Sequence, residues 1–444
     1  MTIATPSAKS HERVTGRWLR DLEVKTTREW TVYYIKQIVG TPIPLLMCLY
    51  VLVAFFSRAG LELAAWACAG LTVAYIFADR FSSSRELSFF RIGCDLFLLG
   101  YVLVGVASAL AADSVLEGVE TLGGVRWALL LYAMTYCWEL FPGLNRIFGL
   151  MMISSLAAAA YGIWQHFTGV DLIRGAELAA APVKDSIFFT PVSFFNTPEN
   201  FGTLLAMALP FPVAAYLLDE RRGSRLPRII ALAICLVFVL AILWTYRPGM
   251  WIAALTGLLV AMLMQARNGF KLFIIIAAFV FGVLLVTYGS PSHLGDSVDR
   301  NETARAEQQR SQINTQVKLW EDNRWIGAGR KALAAADYDP GTGNVYFQVL
   351  AQSGILGAGF YLFIVLGFLL STYRIFSEIP KTHYWHRVLI VGSLSSQISF
   401  HVAGLYWSTL SEALAINLFV LVLSATSYLS EHYTRGLVPD DHAL

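Results

Sequence analysis

Residues 288–344 decide the architecture, and they read YGSPSHLGDSVDRNETARAEQQRSQINTQVKLWEDNRWIGAGRKALAAADYDPGTGN. This polar stretch lies between two long apolar runs and carries seven cationic side chains: Arg300, Arg305, Arg310, Lys318, Arg324, Arg330 and Lys331. A charge left in hydrocarbon costs several kcal/mol, so the stretch, which we call the lid, must lie outside any bilayer. We expect it to cover a site at the membrane surface.

Within the lid, Ile313, Val317 and Trp320 recur at helical spacing and predict a helix over about residues 302–321. Gly327 and Gly329 then predict where that helix has stopped.

The composition is that of a membrane protein. Of the 444 residues, 56% are hydrophobic and 14% are charged, and the mean hydropathy is +0.56, whereas soluble domains carry about 25% charged residues. The cysteines lie in apolar runs without the spacing of metal ligands, so we expect no disulfide, no metal site and no cofactor. They are Cys48, Cys68, Cys94, Cys137 and Cys235.

The predicted fold is an all-α polytopic membrane protein with about 12 transmembrane helices, since a span takes about 17 to 25 apolar residues. The apolar runs are 40–57, 60–78, 92–112, 124–141, 147–164, 200–218, 229–246, 249–265, 272–288, 345–370, 388–405 and 408–428. The predicted segments are a cytoplasmic N-terminal segment at 1–39, helices 1–9 within 40–287, the periplasmic lid loop at 288–344, helices 10–12 within 345–428, and a cytoplasmic tail at 429–444.

Lys and Arg concentrate in alternate short loops, a bias that marks the cytoplasmic side and places both termini there. The opposite side then holds three features: the loop at 165–200, the turn at Arg247, and the lid. We expect these three features to form one site.

Arg247 follows an apolar span and precedes Pro248 and Gly249, which break the helix. A guanidinium at a broken helix end suits a phosphate group, because its planar donors stay charged. We therefore expect an anionic, lipid-borne substrate here, although an arginine reaching a lipid headgroup would give the same pattern. Arg126 opens the fourth span on the same side, and a headgroup contact explains it equally well.

The loop before residue 200 carries Lys184 and Arg174, each of which suits either a diphosphate or lipid headgroups. Next come Asn196 and Asn200, which flank Pro198 and would cap a helix or bind sugar hydroxyls. Glu199 between them is a possible general base.

Asn344, Gln348 and Gln352 recur at every fourth position and share one helix face. Such a stripe at the end of an apolar helix lines a cavity or joins two helices, and the sequence favours neither role.

These residues carry a resemblance. Over roughly residues 161–360, the chain resembles the O-antigen ligase and Wzy-type polymerase superfamily of integral membrane glycosyltransferases. The motifs behind it are, in order, Tyr161-Gly162-Ile163-Trp164-Gln165 with Gly169-Val170-Asp171, the Phe-Asn-x-Pro-x-Asn motif of residues 195–200, Tyr246-Arg247 where the family has Ser-Arg, Gly327-Ala328-Gly329 after the Arg310 helix, and Asn344-Val345-Tyr346 onward to Gly354.

The resemblance implies a GT-C-like, metal-independent, inverting glycosyltransferase of the bacterial inner (cytoplasmic) membrane with its active site facing the periplasm. Its donor would be an undecaprenyl-diphosphate-linked glycan and its acceptor a glycan or lipid-linked saccharide, among membrane lipids and without nucleic acid. Arg247 and Arg310 would hold the diphosphate.

One position departs from the family. Its ligases usually have His-Asn where this chain has Gly343-Asn344, and that histidine is proposed to activate the acceptor hydroxyl. Glycine takes no proton, so the base lies elsewhere, is dispensable or has been lost. Candidates for it are Glu199, Asp337, Asp339 and His401.

The missing histidine favours a repeat-unit polymerase of O-antigen or exopolysaccharide over a ligase that attaches glycan to lipid A-core. A transporter of anionic lipid or solute is the third hypothesis. Transporters often show repeated halves and charges at mid-membrane. This chain shows no internal repeat and carries its notable cations at the predicted outer surface, which argues against transport.

Overall fold

The structure is a computed structural model that describes residues 38, 40–53, 58–82, 94–111, 126–140, 143–180, 187–218, 226–264, 294–336, 343–411 and 413–434. Its helices are α1 Pro42–Val53, α2 Arg58–Ser82, α3 Asp95–Ala111, α4 Arg126–Leu140, α5 Leu144–Thr168, α6 Pro198–Ala208, α7 Pro210–Leu218, α8 Leu226–Leu243, α9 Pro248–Leu263, α10 Leu294–Asp322, α11 Gly329–Ala335, α12 Val345–Glu378, α13 Tyr384–Ala403 and α14 Ala413–Thr434. Two short strands, β1 Val170–Asp171 and β2 Ala176–Glu177, form an antiparallel hairpin.

The described residues form a helical membrane protein. Six stretches are long and apolar enough to cross a bilayer: Gly60–Phe77, Asn145–Thr168, Pro198–Leu218, Leu226–Leu243, Val345–Glu378 and Leu414–Thr434. The helices α1, α3 and α9 are apolar but shorter. The ninth predicted span, at 272–288, lies outside the described residues. The predicted total of about 12 spans and the GT-C-like fold stay predictions.

Two stretches form the centre of the bundle. In the 18-residue apolar windows of Pro198–Leu218 and Leu414–Thr434, 83% and 89% of the residues are buried inside the protein, against 33% in Leu226–Leu243. An apolar helix whose whole circumference is buried belongs to a core rather than to a lipid-facing surface. The helix α6, whose first turn holds the second half of the Asn-x-Pro-x-Asn motif, therefore lies in the core of the bundle.

The lid contains the predicted helix. Expected over about 302–321, it extends from Leu294 to Asp322 as α10, about two turns longer at its start. Gly327 and Gly329 follow it with left-handed φ values of 77° and 80°, conformations that glycine adopts without steric cost. The prediction of a helix in the lid is thus confirmed.

The predicted tenth span is broken at Gly354, where φ is 62° and ψ is −167°. Along an unbroken helix with a rise of about 1.5 Å per residue, Tyr346 and Tyr361 would lie roughly 22 Å apart. Their ring centroids are only 6.4 Å apart. Residues 345–353 therefore fold back beside the longer part of α12 and do not continue it as one straight span.

A lid segment fills this break. The backbone N–H groups of Ile355 and Leu356 donate to the carbonyls of Arg324 and Trp325 at 2.8 and 3.2 Å. In return, Ala328 N donates to Ala351 O at 2.8 Å. The break thus has its backbone groups satisfied by the lid, which fixes the end of α10 to α12.

Candidate functional site

Arg247 lies in the tight turn that joins α8 to α9. Thr245 Oγ1 and Trp251 Nε1 both donate to the carbonyl of Ile242, at 2.6 and 3.0 Å, and close the turn. Arg247 is the cap residue before Pro248, so α9 begins at the predicted helix break. Tyr246 is held at φ 52°, and burial raises the pKa of its hydroxyl to about 12. The turn therefore presents a guanidinium next to a phenol that stays protonated at neutral pH.

Glu199 forms an ion pair with Arg247, with Oε1 2.7 Å from Nε. Thr197 caps α6 by accepting from Asn200 N at 3.3 Å, and Pro198 fills the first helical position. This cap places Glu199 in the first turn of α6, facing Arg247. The side chains are 10% and 28% exposed, so the pair opens to solvent on the arginine side.

The loop before α6 is fixed to the end of α5 by buried polar groups. Gln165 Oε1 accepts from the backbone N–H groups of Val192 and Ser193 at 3.1 and 2.6 Å, and its Nε2 donates to Ser193 O at 3.1 Å. Ser193 Oγ donates to Ala158 O at 2.7 Å. This anchoring sets the direction in which the chain enters the Asn196–Asn200 motif.

Arg174 forms hydrogen bonds within this loop. Its Nη1 donates to Asp171 Oδ2, and its Nη2 donates to Phe194 O and Asn196 Oδ1 at 3.0 and 3.2 Å. Burial alone would raise the pKa of Asp171, but hydrogen bonds from Arg174, Tyr161 and two backbone N–H groups lower it below the ordinary value. Both ends of the Arg174 fork are thus bound within the protein, and the residue orients Asn196.

Residues 404–407, which we call the hub turn, contact four helices: α6, α9, α10 and α12. Trp407 Nε1 donates to Thr203 Oγ1 of α6 at 2.9 Å. The carbonyl of Leu405 accepts from Gln309 Nε2 of the lid helix at 3.2 Å and from Asn344 Nδ2 at 3.0 Å. The Tyr406 ring packs so closely on Gly249 that an added Cβ there would lie 2.5 Å from it.

The hub turn thereby places both predicted arginines near one end of the bundle. Arg310, exposed on α10, directly follows Gln309, which binds Leu405. Arg247 lies two residues before Gly249, which packs on Tyr406. The lid, the turn at Arg247 and the part of α6 that follows Glu199 therefore meet around consecutive residues of the hub turn.

Asn344 caps α12. Its Oδ1 accepts from the N–H groups of Tyr346 and Phe347 at 2.9 and 3.4 Å, while its Nδ2 donates to Leu405. The oxygen of the side-chain amide therefore caps α12, and its nitrogen binds α12 to the hub turn. Gln348, one turn later on the same face, is 6% exposed and Asn200 is 3% exposed. Within the described residues, the Oδ1 of Asn200 has no hydrogen-bond partner.

The other predicted residues divide into two groups. Lys184, Asp337 and Asp339 lie outside the described residues, as does the side chain of Arg126 at the start of α4. His401 is buried in α13 between the rings of Tyr361 and Phe419. Within the described ranges, no three His, Cys, Asp or Glu side chains form a group that could hold a metal ion.

Sequence reasoning missed the hub turn. Nothing in the sequence marks Gln309, Tyr406 or Trp407 as a contact residue. The group of Leu405 that accepts the hydrogen bonds is its backbone carbonyl, which any residue has. The one available signal was Gly404-Leu405-Tyr406-Trp407 itself, a glycine followed by two aromatic residues between two apolar spans. Such a sequence favours a tight turn at the bilayer edge.

The comparison with known families agrees with the resemblance. Residues 231–362 match a family model described as O-Antigen ligase. The matched region contains Arg247, Arg310 and Asn344, whereas Glu199 lies before it. The predicted resemblance to the O-antigen ligase and Wzy superfamily is confirmed. A search of curated proteins gave no match.

Proposed function

We propose that the protein moves a glycan from an undecaprenyl-diphosphate donor to a saccharide acceptor at the outer face of the bacterial inner membrane, and that it acts as a repeat-unit polymerase. One observation carries the proposal. Arg247, inside the matched region, is held by Glu199 on α6, and the lid helix next to Arg310 reaches the same hub turn. Two cations from separate parts of the chain would thereby serve one diphosphate.

In the proposed reaction, the acceptor hydroxyl oxygen attacks the anomeric carbon from the side opposite the diphosphate. The carbon–oxygen bond to the diphosphate breaks, the configuration inverts, and the hydroxyl proton leaves to a base or to water. Guanidinium groups stabilise the negative charge that develops on the leaving diphosphate. This reaction does not require a metal ion, because the diphosphate is already a good leaving group.

The ion pair gives Glu199 a positioning role. A carboxylate oxygen 2.7 Å from Arg247 Nε holds the guanidinium beside α6 by charge attraction and so limits where its two terminal nitrogens can lie. This role differs from the general base that the sequence predicts, because it needs an oxygen beside the guanidinium but no proton transfer.

The two roles predict different outcomes for Glu199→Gln. A glutamine keeps the shape of the side chain and a polar oxygen beside Arg247, so we expect the elongation rate to fall less than about tenfold. Glu199→Ala removes the partner of a charged group, a loss of about 1.5 to 3 kcal/mol, or roughly tenfold to 150-fold. Initial rates across pH 4 to 9 measure both. Equal losses in the two variants, with the rise in rate on the acid side of the pH profile gone, would instead make Glu199 the base.

A second candidate is the ligase, which the description of the matched family favours. In that reaction the acceptor is lipid A-core in place of another repeat unit. The buried Gly343, where the family's ligases have histidine, favours the polymerase.

The test incubates purified protein with a lipid-diphosphate repeat unit, with and without lipid A-core. Products longer by whole repeat units support the polymerase, and transfer only onto lipid A-core supports the ligase. Movement of donor across a vesicle wall with no new glycosidic bond would contradict both and leave the transporter.

A further inference from the structure

The loop that joins α5 to α6 exposes large apolar side chains. In Leu172, Ile173 and Ile187 the exposed fractions are 67%, 58% and 77%. Phe167 and Phe188 add 54% and 38%, and their rings pack edge to face with centroids 5.6 Å apart. We call these five residues the loop patch.

Backbone hydrogen bonds make the patch one surface. Leu178 N donates to Gly169 O at 2.9 Å, which closes the hairpin that carries Leu172 and Ile173. Phe189 N donates to His166 O at 3.0 Å and pins the segment with Ile187 and Phe188 against the end of α5. Apolar side chains are therefore displayed on a bonded framework, not on a loosely attached tail.

The loop buries several polar side chains while it exposes the loop patch. Gln165, Asp171 and Ser193 are each 1% exposed or less, although Glu177 stays exposed. The five large apolar side chains of the loop patch point outward. Water favours the opposite arrangement, so a contiguous exposed apolar surface of this kind marks a contact with another apolar medium.

The position of the loop identifies that medium. The apolar stretch Asn145–Thr168 has 24 residues, or about 36 Å at 1.5 Å per residue, while the hydrocarbon core is about 30 Å thick. The end of α5 therefore reaches the headgroup layer, and the hairpin starts two residues later. The exposed Trp164, one turn before the helix end, is of the type that prefers this layer.

We propose that the loop patch dips into the bilayer leaflet at which α5 ends and packs on its acyl chains. The hydrogen bonds of the buried Gln165, Asp171 and Ser193 hold the loop at that depth. Because α6 is the next helix after this loop, the membrane surface would then fix the height of the Glu199–Arg247 pair. The proposal rests on burial and helix length, and it holds whatever reaction the protein catalyses.

Spin labels test it in the full chain, reconstituted in nanodiscs of phosphatidylethanolamine and phosphatidylglycerol. Leu172→Cys samples the patch, and Glu177→Cys, exposed on the same hairpin, is the matched control. Both are made with Cys48→Ser, because the other four native cysteines are buried. We expect the label at 172 to collide more often with oxygen than with a water-soluble nickel chelate, and the label at 177 to show the reverse.

Either of two results would overturn the proposal. Equal access of the nickel chelate at 172 and 177 would place the patch in water. Protection of 172 from both reagents would place it against another protein or a second copy of this chain. Ile187→Cys repeats the measurement on the other half of the patch, so failure of one variant to fold leaves the test intact.

Discussion

Replacing Arg247 with alanine is expected to lower the rate of glycan elongation by about a hundredfold to a thousandfold. The proposed role of this guanidinium is to meet charge that develops only in the transition state, and removing one such donor typically costs about 2.7 to 4 kcal/mol. Arg247→Lys keeps the charge but loses the planar fork and its Nε contact with Glu199, so an intermediate rate is expected.

Arg374→Ala is the matched control for charge. Arg374 forms an exposed helical ion pair with Glu378, 3.0 Å long, of a kind worth about 0.3 to 0.5 kcal/mol. Its elongation rate should match that of wild type. An Arg247→Ala protein that elongates at the wild-type rate would remove Arg247 from the proposed chemistry.

Gly354→Ala is expected to destabilise the protein strongly. A Cβ at this position would lie 2.3 Å from the carbonyl carbon and oxygen of Trp325, which belong to the backbone and cannot rotate away. The backbone conformation, with φ 62° and ψ −167°, is open essentially to glycine alone and costs an alanine about 1 to 3 kcal/mol more. With overpacking at about 1 to 3 kcal/mol, the total loss is roughly 2 to 6 kcal/mol.

Gly359→Ala, in the same helix, is the control. Nothing lies within 4 Å of a Cβ built there, and alanine is the better helix former. Melting in detergent, followed by the fraction of protein that stays monodisperse, should show a large fall for Gly354→Ala and no fall for Gly359→Ala. Equal melting curves would mean that the lid does not dock in the break of α12.

The lid helix and the turn at Arg247 were predictable because their signals are local. Apolar residues at helical spacing specify α10, and Pro248 with Gly249 specifies where α9 begins. Neither inference needs a contact between distant parts of the chain. The composition likewise was enough to predict a helical membrane protein.

The break at Gly354 and the ion pair were not predictable because they depend on distant contacts. The helix breaks at Gly354, and the backbone of Trp325, distant in the sequence, packs into the break. Glu199 faces Arg247 only because α6 and α9 pack together, and the sequence alone left it as a possible base. The same limit applies to Asn344, whose partner Leu405 is a backbone carbonyl distant in the sequence.

Binding of undecaprenyl diphosphate without a glycan tests the central claim most directly, since no acceptor, base or turnover is involved. If Arg247 and Arg310 grip one diphosphate, Arg247→Ala and Arg310→Ala should each weaken its equilibrium binding at least tenfold. The double variant should weaken it by less than the product of the two, and undecaprenyl monophosphate should bind more weakly than the diphosphate to wild type. Unchanged affinity in both single variants would contradict the account.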